Sequence, residues 1–183
     1  MPKDDKRKEE EQKAISTVAL KTYATQGFKL FNNFKTIPGI QKDNKINSEQ
    51  LNFWVDNVRE LAQKVDRLEM ADMQIGKVLA HFPGDDKEYW PPDEISEIIE
   101  RINTKSLKNN FSMTVTNKRG FTTRGPFDGG AIERFNASHF QKLADLHKHK
   151  HPNLSEIFIR ISYGYLQDAK HEDDQAERDR LEY

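Results

Sequence analysis

The chain has 183 residues, of which 35% are hydrophobic and 32% are charged, and its formal net charge is -1. Its length is typical of one domain with a modest core. The 11 Phe, 5 Tyr and 2 Trp residues exclude a disordered chain, which generally lacks aromatic side chains. The near-neutral charge balance gives no global attraction to nucleic acid or to an anionic membrane.

The absence of cysteine excludes disulfide and thiolate chemistry and fits a reducing compartment. The first residues contain no apolar segment typical of a secretory signal. No apolar run approaches the roughly 20 residues that a membrane-spanning helix needs. We therefore expect a soluble, cytoplasmic protein.

Residues 1–14 are mostly charged, and we interpret them as a disordered tail or a frayed helix start. Apolar residues then recur at helical spacing from Ile15 to Phe34, until Thr36–Gly39 ends the pattern. From residue 15 to residue 175 we predict a single helical domain, followed by a charged tail over residues 176–183.

The clearest helical pattern begins after Ser48, a plausible N-cap. Apolar residues repeat at three- and four-residue spacing from Leu51 to Leu68 and again as far as Phe82. This segment is predicted to be the spine of the fold. Asp66-Arg67 is either a kink or a surface turn of one long helix.

Tyr89–Pro92 is a short aromatic stretch before a helix whose apolar face contains Ile95, Ile98 and Ile102. An exposed Trp90 would be suited to docking a partner, since aromatic residues are enriched at interfaces. The alternative is that Trp90 fills the core beside the helix start.

Residues 111–124 are predicted to form a two-stranded β-hairpin. Phe111, Met113 and Val115 alternate with period two, and a turn with Asn117 and Gly120 follows. After Gly130 the spacing is helical again on both sides of a short connection at 147–152, which predicts an αα-hairpin. The predicted fold is mainly α, with five or six helices and one β-hairpin.

The turn from Gly125 to Gly130 precedes a helix, where backbone N–H groups can bind an anion. No phosphate-loop or nucleophile-elbow motif accompanies it. In the structural alternative, Asp128 caps the helix and the glycines allow close backbone approach. An enzyme with a site around Asp128, Glu133 and Arg134 is the least favoured of our hypotheses.

Positive charge is concentrated between residues 101 and 134, where seven bases face only two acids, Asp128 and Glu133. The bases are Arg101, Lys105, Lys108, Lys118, Arg119, Arg124 and Arg134. A nucleic acid would be contacted through Lys118, Arg119, Arg124 and Arg134. Basic hairpin tips are also ordinary solubility devices.

The histidines at 147, 149 and 151 resemble a weak metal-binding run, but no orienting partner is visible in the sequence. We predict adventitious binding at most, and neither a metal site nor a cofactor. His139 lies on the apolar side of its helix and is predicted to be a core or boundary residue.

The chain contains a series of short motifs: Leu51-x-x-Trp54-x-x-x-x-Arg59-x-Leu61-Ala62, Ile75-Gly76-x-x-Leu79-Ala80-x-x-Pro83, Trp90-Pro91, Ile98-Ile99-Glu100, Asn117-x-Arg119-Gly120 with Arg124, and Gly129-Gly130-x-x-Glu133-Arg134. Together these motifs resemble a helical module found at the C-terminal ends of long uncharacterised bacterial proteins. The resemblance covers residues 46–175. It implies a portable module or a subunit of a larger bacterial assembly, and it implies no catalytic residue.

The leading hypothesis is therefore a non-enzymatic module that binds a larger protein. The candidate partner-binding residues are Trp90, Asn117, Arg119, Arg124, Gly129, Gly130, Glu133 and Arg134. A nucleic-acid-binding accessory protein is the alternative from a different functional class.

Overall fold

The computed structural model describes residue 22 and residues 33–85, 87–118 and 129–182. The chain divides into two compact units, Met1–Lys35 and Thr36–Tyr183. In the first unit only residues 22 and 33–35 are described, so the predicted tail of residues 1–14 and most of the helix predicted from Ile15 lie outside the described residues.

The second unit is mainly helical, as predicted. Its helices are α1 (Ser48–Lys64), α2 (Leu68–Leu79), α3 (Asp93–Ile102), α4 (Lys105–Lys118), α5 (Ala131–His147) and α6 (Pro152–Glu182). Over the described ranges the only β pairing is one isolated antiparallel bridge between Ile40 and Ile46. Residues 176–182, predicted to be a charged tail, form the last turns of α6.

The predicted spine from Leu51 to Phe82 is two helices, because α1 ends in a Schellman turn. Asp66 adopts a left-handed conformation, with φ at 54°. The Arg67 N–H donates to the Ala62 carbonyl at 2.8 Å, and the Asp66 N–H donates to Gln63 at 3.2 Å. These bonds satisfy the last carbonyls of α1 and stop its ladder. The N-cap of α1 is Asn47, whose side chain accepts from the Gln50 N–H at 2.9 Å, and Ser48 is the first helical residue.

A buried carboxylate joins three of these helices. Asp72 of α2 is 2% exposed and accepts from Arg59 Nε of α1 at 2.9 Å. Its other oxygen accepts from the Thr104 hydroxyl at 3.0 Å, immediately before α4. A buried carboxylate is tolerated only when such partners replace its water, so Asp72 fixes the position of α1 and α4 relative to α2.

A second carboxylate joins α3 to the start of α6. Glu100 accepts from the Leu154 N–H at 2.9 Å and from the Asn153 side-chain amide at 2.6 Å. The first N–H groups of a helix have no partner within that helix and attract negative charge. Glu100 therefore caps α6 from outside, while Ile95, Ile98 and Ile102 bury the opposite side of α3 as predicted.

The predicted β-hairpin is wrong in its first half, since residues 105–118 form α4. Leu107, Phe111 and Val115 are buried at four-residue spacing, while Met113 is 54% exposed on the other side. Three alternating apolar residues fit a strand, but the outer two also share one helix face. Extending the pattern back to Leu107 distinguishes the helix. Residues 119–124, the predicted second strand, lie outside the described residues.

Helices α5 and α6 form the predicted C-terminal αα-hairpin and pack along each other more extensively than any other pair. The Ser155 hydroxyl donates to the Ala144 carbonyl, and the Ser162 hydroxyl donates to Ala137, both at 2.8 Å. Moving along α6 from Ser155 to Ser162, the bonded residue on α5 moves back from Ala144 to Ala137, so the two helices are antiparallel. Buried serines at the contact satisfy their own hydroxyls on the neighbouring backbone.

We expect Gly76→Ala to destabilise the protein by about 1–3 kcal/mol. A Cβ at Gly76 would lie 2.4 Å from the Leu107 carbonyl oxygen, which is held in α4. The matched control is Gly164→Ala in α6, where a Cβ would meet nothing within 4 Å. That change should stabilise by about 0.5–1 kcal/mol, because alanine favours helix. Urea unfolding measures both, and equal midpoints would contradict the close approach of α2 and α4.

Candidate functional site

Trp90 lies in the core and presents no surface to a partner. Its side chain is 1% exposed. The indole stacks on Phe111 of α4 with ring centroids 5.8 Å apart and lies 6.0 Å from Phe158 of α6. Its Nε1 donates to the Phe82 carbonyl at 3.2 Å. Trp90 therefore fills the core beside the start of α3, which was the alternative interpretation of this residue. A partner-binding surface must lie elsewhere.

Lys118, predicted to occupy a hairpin tip, instead ends α4 and folds back over Trp90. Its ammonium group lies 5.5 Å from the indole centroid, within the range of a cation–π interaction. Lys118 Nζ also donates to the Phe82 carbonyl at 3.2 Å and pairs with Asp85 at 3.1 Å. These contacts direct its charge inward.

The described bases of the positive segment between residues 101 and 134 are largely neutralised by acids from other parts of the chain. Four of these five bases form ion pairs: Arg101 with Asp56, Lys108 with Glu156, Lys118 with Asp85, and Arg134 with Asp173. Every one of these acids lies outside the segment. Counting charge along the sequence therefore overestimated the positive potential that a phosphate backbone would meet.

Gly130, the residue before α5, is held against α6 by a carboxylate. Asp173 accepts from both terminal nitrogens of Arg134, at 2.6 and 3.2 Å, and from the Gly130 N–H at 2.9 Å. The guanidinium first, and then the N–H, lower the pKa of Asp173. Since a Cβ at Gly130 would lie 2.2 Å from the Ala169 carbonyl oxygen, glycine is required for this approach. Gly130 thus has a packing role.

The other described partner-binding candidates differ in their exposure. Asn117 is exposed on the last turn of α4, whereas Glu133 is buried, with 2% exposure, in the first turn of α5. Gly129 is partly exposed and has φ at 58°. Arg119, Arg124 and Asp128 lie outside the described residues.

Two of the three clustered histidines point inward. His147 ends α5 with 0% exposure, and His151 precedes α6 with 2% exposure, whereas His149 is exposed. The Nδ1 atoms of His147 and His151 are 3.2 Å apart. His147 Nε2 lies 3.1 Å from the Trp90 carbonyl oxygen. His139 also contacts a carbonyl, that of Asp85, at 2.8 Å, in agreement with its predicted boundary position.

The tautomers of the buried pair follow from these contacts. A carbonyl only accepts, so His147 Nε2 carries hydrogen, and in the neutral ring its Nδ1 is then an acceptor. His151 Nδ1 must therefore donate to it. This leaves His151 Nε2 as a buried acceptor that makes no hydrogen bond within the described part of the chain. Burial lowers the pKa of His147, because the charged ring would lose its water.

Asp93, at the start of α3, lies near three further polar groups, and this association was not predictable from the local sequence pattern. The Tyr89 hydroxyl donates to it at 2.6 Å, Lys150 Nζ bonds its other oxygen at 2.5 Å, and His151 Nε2 lies 3.9 Å away. The bond from Lys150, and then that from Tyr89, lower the pKa of Asp93. Burial, and then the bond to Asp93, raise the pKa of Tyr89. The turn between α5 and α6 is therefore anchored to α3.

Among the described residues, no cluster of three or more His, Asp or Glu side chains is arranged to hold a metal ion. Every helix in the described ranges is too short or too polar to cross a membrane.

The surface feature that the sequence reading missed is an apolar stripe on α6. Ile159, Tyr163 and Leu166 are 50%, 62% and 48% exposed. They follow one another at four- and three-residue spacing, which places them on one side of the helix. We call these three residues the α6 stripe. The buried residues of the same helix, including Phe158 and Tyr165, masked this second apolar face in the sequence pattern.

Comparison of the chain with protein-family models, curated proteins and solved structures returned no match.

Replacing Trp90 with alanine should destabilise the protein by about 3–5 kcal/mol, because it opens a cavity beside Phe111 and Phe158 and removes one of the two donors to the Phe82 carbonyl. Phe135→Ala is the control, since that aromatic ring is 75% exposed, and it should change stability by less than about 0.5 kcal/mol. Denaturant unfolding measures both. A Trp90→Ala protein of unaltered stability would restore a role for Trp90 in binding.

Stability should fall when the pH drops below about 6.5. Burial sets the pKa of His147 in the folded state below its ordinary value of 6.5. Between the pKa of His147 in the folded state and its ordinary value, the unfolded chain binds more protons than the folded protein. Each unit by which the pH falls in this range therefore lowers the free energy of unfolding by at most about 1.4 kcal/mol. This contribution is constant above pH 6.5. Denaturant unfolding from pH 8 to pH 5 measures it.

In His147→Gln this part of the pH dependence should disappear, whereas His149→Gln, which alters the exposed histidine of the same turn, should retain it. An identical pH profile in both variants would refute the assignment to His147.

Proposed function

We propose that this protein is a non-enzymatic interaction module, a small subunit that docks onto a larger protein in a bacterial assembly. The α6 stripe supports this proposal most directly. It exposes three large apolar side chains in a row on a chain whose mean hydropathy is -0.90. Contiguous apolar surface is costly to leave in water and commonly marks a site of association.

The stripe is suited to a helical partner. Its residues span about two turns, or roughly 10 Å along the helix axis. An amphipathic helix presents anchors at the same spacing and can bury them against such a face. The stripe replaces the surface expected around Trp90 and Gly130, because those residues pack inside the protein.

The bacterial assembly in this proposal rests on the motif resemblance between residues 46 and 175. The same motifs have internal structural roles here. Arg59 binds Asp72, Gly76 packs against Leu107, and Glu100 caps α6. Such roles are those of a portable folding unit, whose partner contacts are made by other residues.

The experiment is affinity purification of the tagged protein from its native host after nuclease treatment, followed by reconstitution with the purified partner. We expect a stoichiometric protein that survives nuclease. Leu166→Glu should weaken its binding at least about tenfold in calorimetry, since it places a charge in a desolvated contact. The matched control is Leu61→Glu, which alters an exposed leucine of α1 and should bind normally.

Equal affinity of the two variants would eliminate the α6 stripe as the docking surface. Recovery of nucleic acid alone, lost at high salt and in Lys118→Glu/Arg119→Glu, would replace the proposal with the nucleic-acid-binding alternative.

A further inference from the structure

Three glycines within or next to helices have contrasting surroundings, with Gly130 at the N-cap of α5 and Gly76 and Gly164 inside α2 and α6. Gly76 and Gly130 each lie against backbone, where a Cβ would come within 2.4 Å and 2.2 Å of a carbonyl oxygen. A Cβ at Gly164, near the middle of α6, would meet nothing within 4 Å. Glycine is disfavoured inside a helix relative to alanine. No contact within the described part of the chain accounts for glycine at position 164.

Gly164 lies on a cleft of about 460 Å³ between α4 and α6. Ser112 and Thr116 form the α4 side of the cleft. The α6 side consists of Arg160, Ile161, Gly164, Tyr165 and Asp168. Without a side chain at position 164, the backbone of α6 is open to close approach by another helix.

Arg160 and Asp168 flank this bare position symmetrically. They precede and follow Gly164 by four residues, so all three share one helix face, and each charge lies about 6 Å along the axis from the glycine. Among the described residues, Arg160 donates to neutral groups, the Asn109 side chain at 3.0 Å and the Lys108 carbonyl at 3.4 Å. Asp168 is exposed and has no ion pair with a described residue. The cleft therefore carries a cation and a carboxylate, neither of which is paired with an opposite charge from the described residues.

We propose that a second copy of this chain docks on this cleft, with α6 crossing α6 of its partner antiparallel at Gly164. A two-fold axis through Gly164 places Arg160 of each copy opposite Asp168 of the other, because the two residues are equally far from the axis. Each copy thus supplies the charge that the other lacks. Any other helix would need opposite charges eight residues apart in the right order, whereas a second copy has them by construction.

This surface is separate from the α6 stripe. About 100° per residue separates side chains around a helix, which puts Gly164 on a different side of α6 from Ile159 and Leu166. Self-association through the cleft therefore leaves the stripe open to a different protein, and either association can fail without the other.

The test is sedimentation velocity over a wide range of protein concentration at low salt. We expect a reversible dimer that dissociates as salt is raised. Arg160→Glu and Asp168→Arg should each weaken it by about tenfold or more, because each change converts two attractive pairs into two repulsive ones. Gly164→Leu should weaken it by filling the crossing point. Lys170→Glu, which alters the same charge as Arg160→Glu on a different side of α6, should leave it unchanged.

The deciding sample is an equimolar mixture of the Arg160→Glu and Asp168→Arg proteins. In the mixed dimer the introduced glutamate faces the introduced arginine, and the native Asp168 faces the native Arg160, so dimerisation should return to the wild-type level. Circular dichroism confirms that each variant is folded. A wild-type protein that stays monomeric, or a mixture that stays monomeric while wild type dimerises, would overturn the proposal.

Discussion

The packing of the second unit depends on residue 90, which contacts several neighbours at once. The Trp90 ring packs against both Phe111 of α4 and Phe158 of α6. Its Nε1 binds the Phe82 carbonyl at the end of the α2 segment, and its own carbonyl lies against His147 at the end of α5. A buried aromatic residue contributes most when both its ring and its polar group are satisfied. Trp90 meets this condition and connects the segment after α2 with the end of α5.

Helix positions were largely readable from the sequence because most apolar residues follow helical spacing. The isoleucines of α3 and the paired C-terminal helices lie where the pattern placed them. The pattern failed where it was short. The spacing of Phe111, Met113 and Val115 is compatible with a strand and, for the outer two residues, also with a helix. The position of Leu107, four residues before Phe111, distinguishes the helix. The break at Asp66 depends on a left-handed residue, and aspartate adopts that conformation without a glycine to signal it.

The candidate site was less predictable, because it depends on contacts between distant segments. Lys118 was interpreted from its neighbours in the sequence, yet its partners are Asp85 and the Phe82 carbonyl. The three histidines were interpreted together as one weak metal-binding run, whereas His147 and His151 are buried and His149 is exposed. The α6 stripe was hidden because the same helix also carries buried apolar residues. Side-chain direction and long-range charge pairing are not encoded in local composition.

The long sequence separations around Trp90 bear on the order in which the chain assembles. Helices α5 and α6 meet across a short connection, so their pairing costs little loop-closure entropy. Trp90 contacts His147 across 57 residues, and this closure is entropically more demanding. We expect the C-terminal helix pair to associate first and to offer Phe158 and His147 as a preformed surface. Trp90 then packs onto this surface and brings α2, α3 and α4 with it. The same residue would therefore complete folding and hold the folded helices in place.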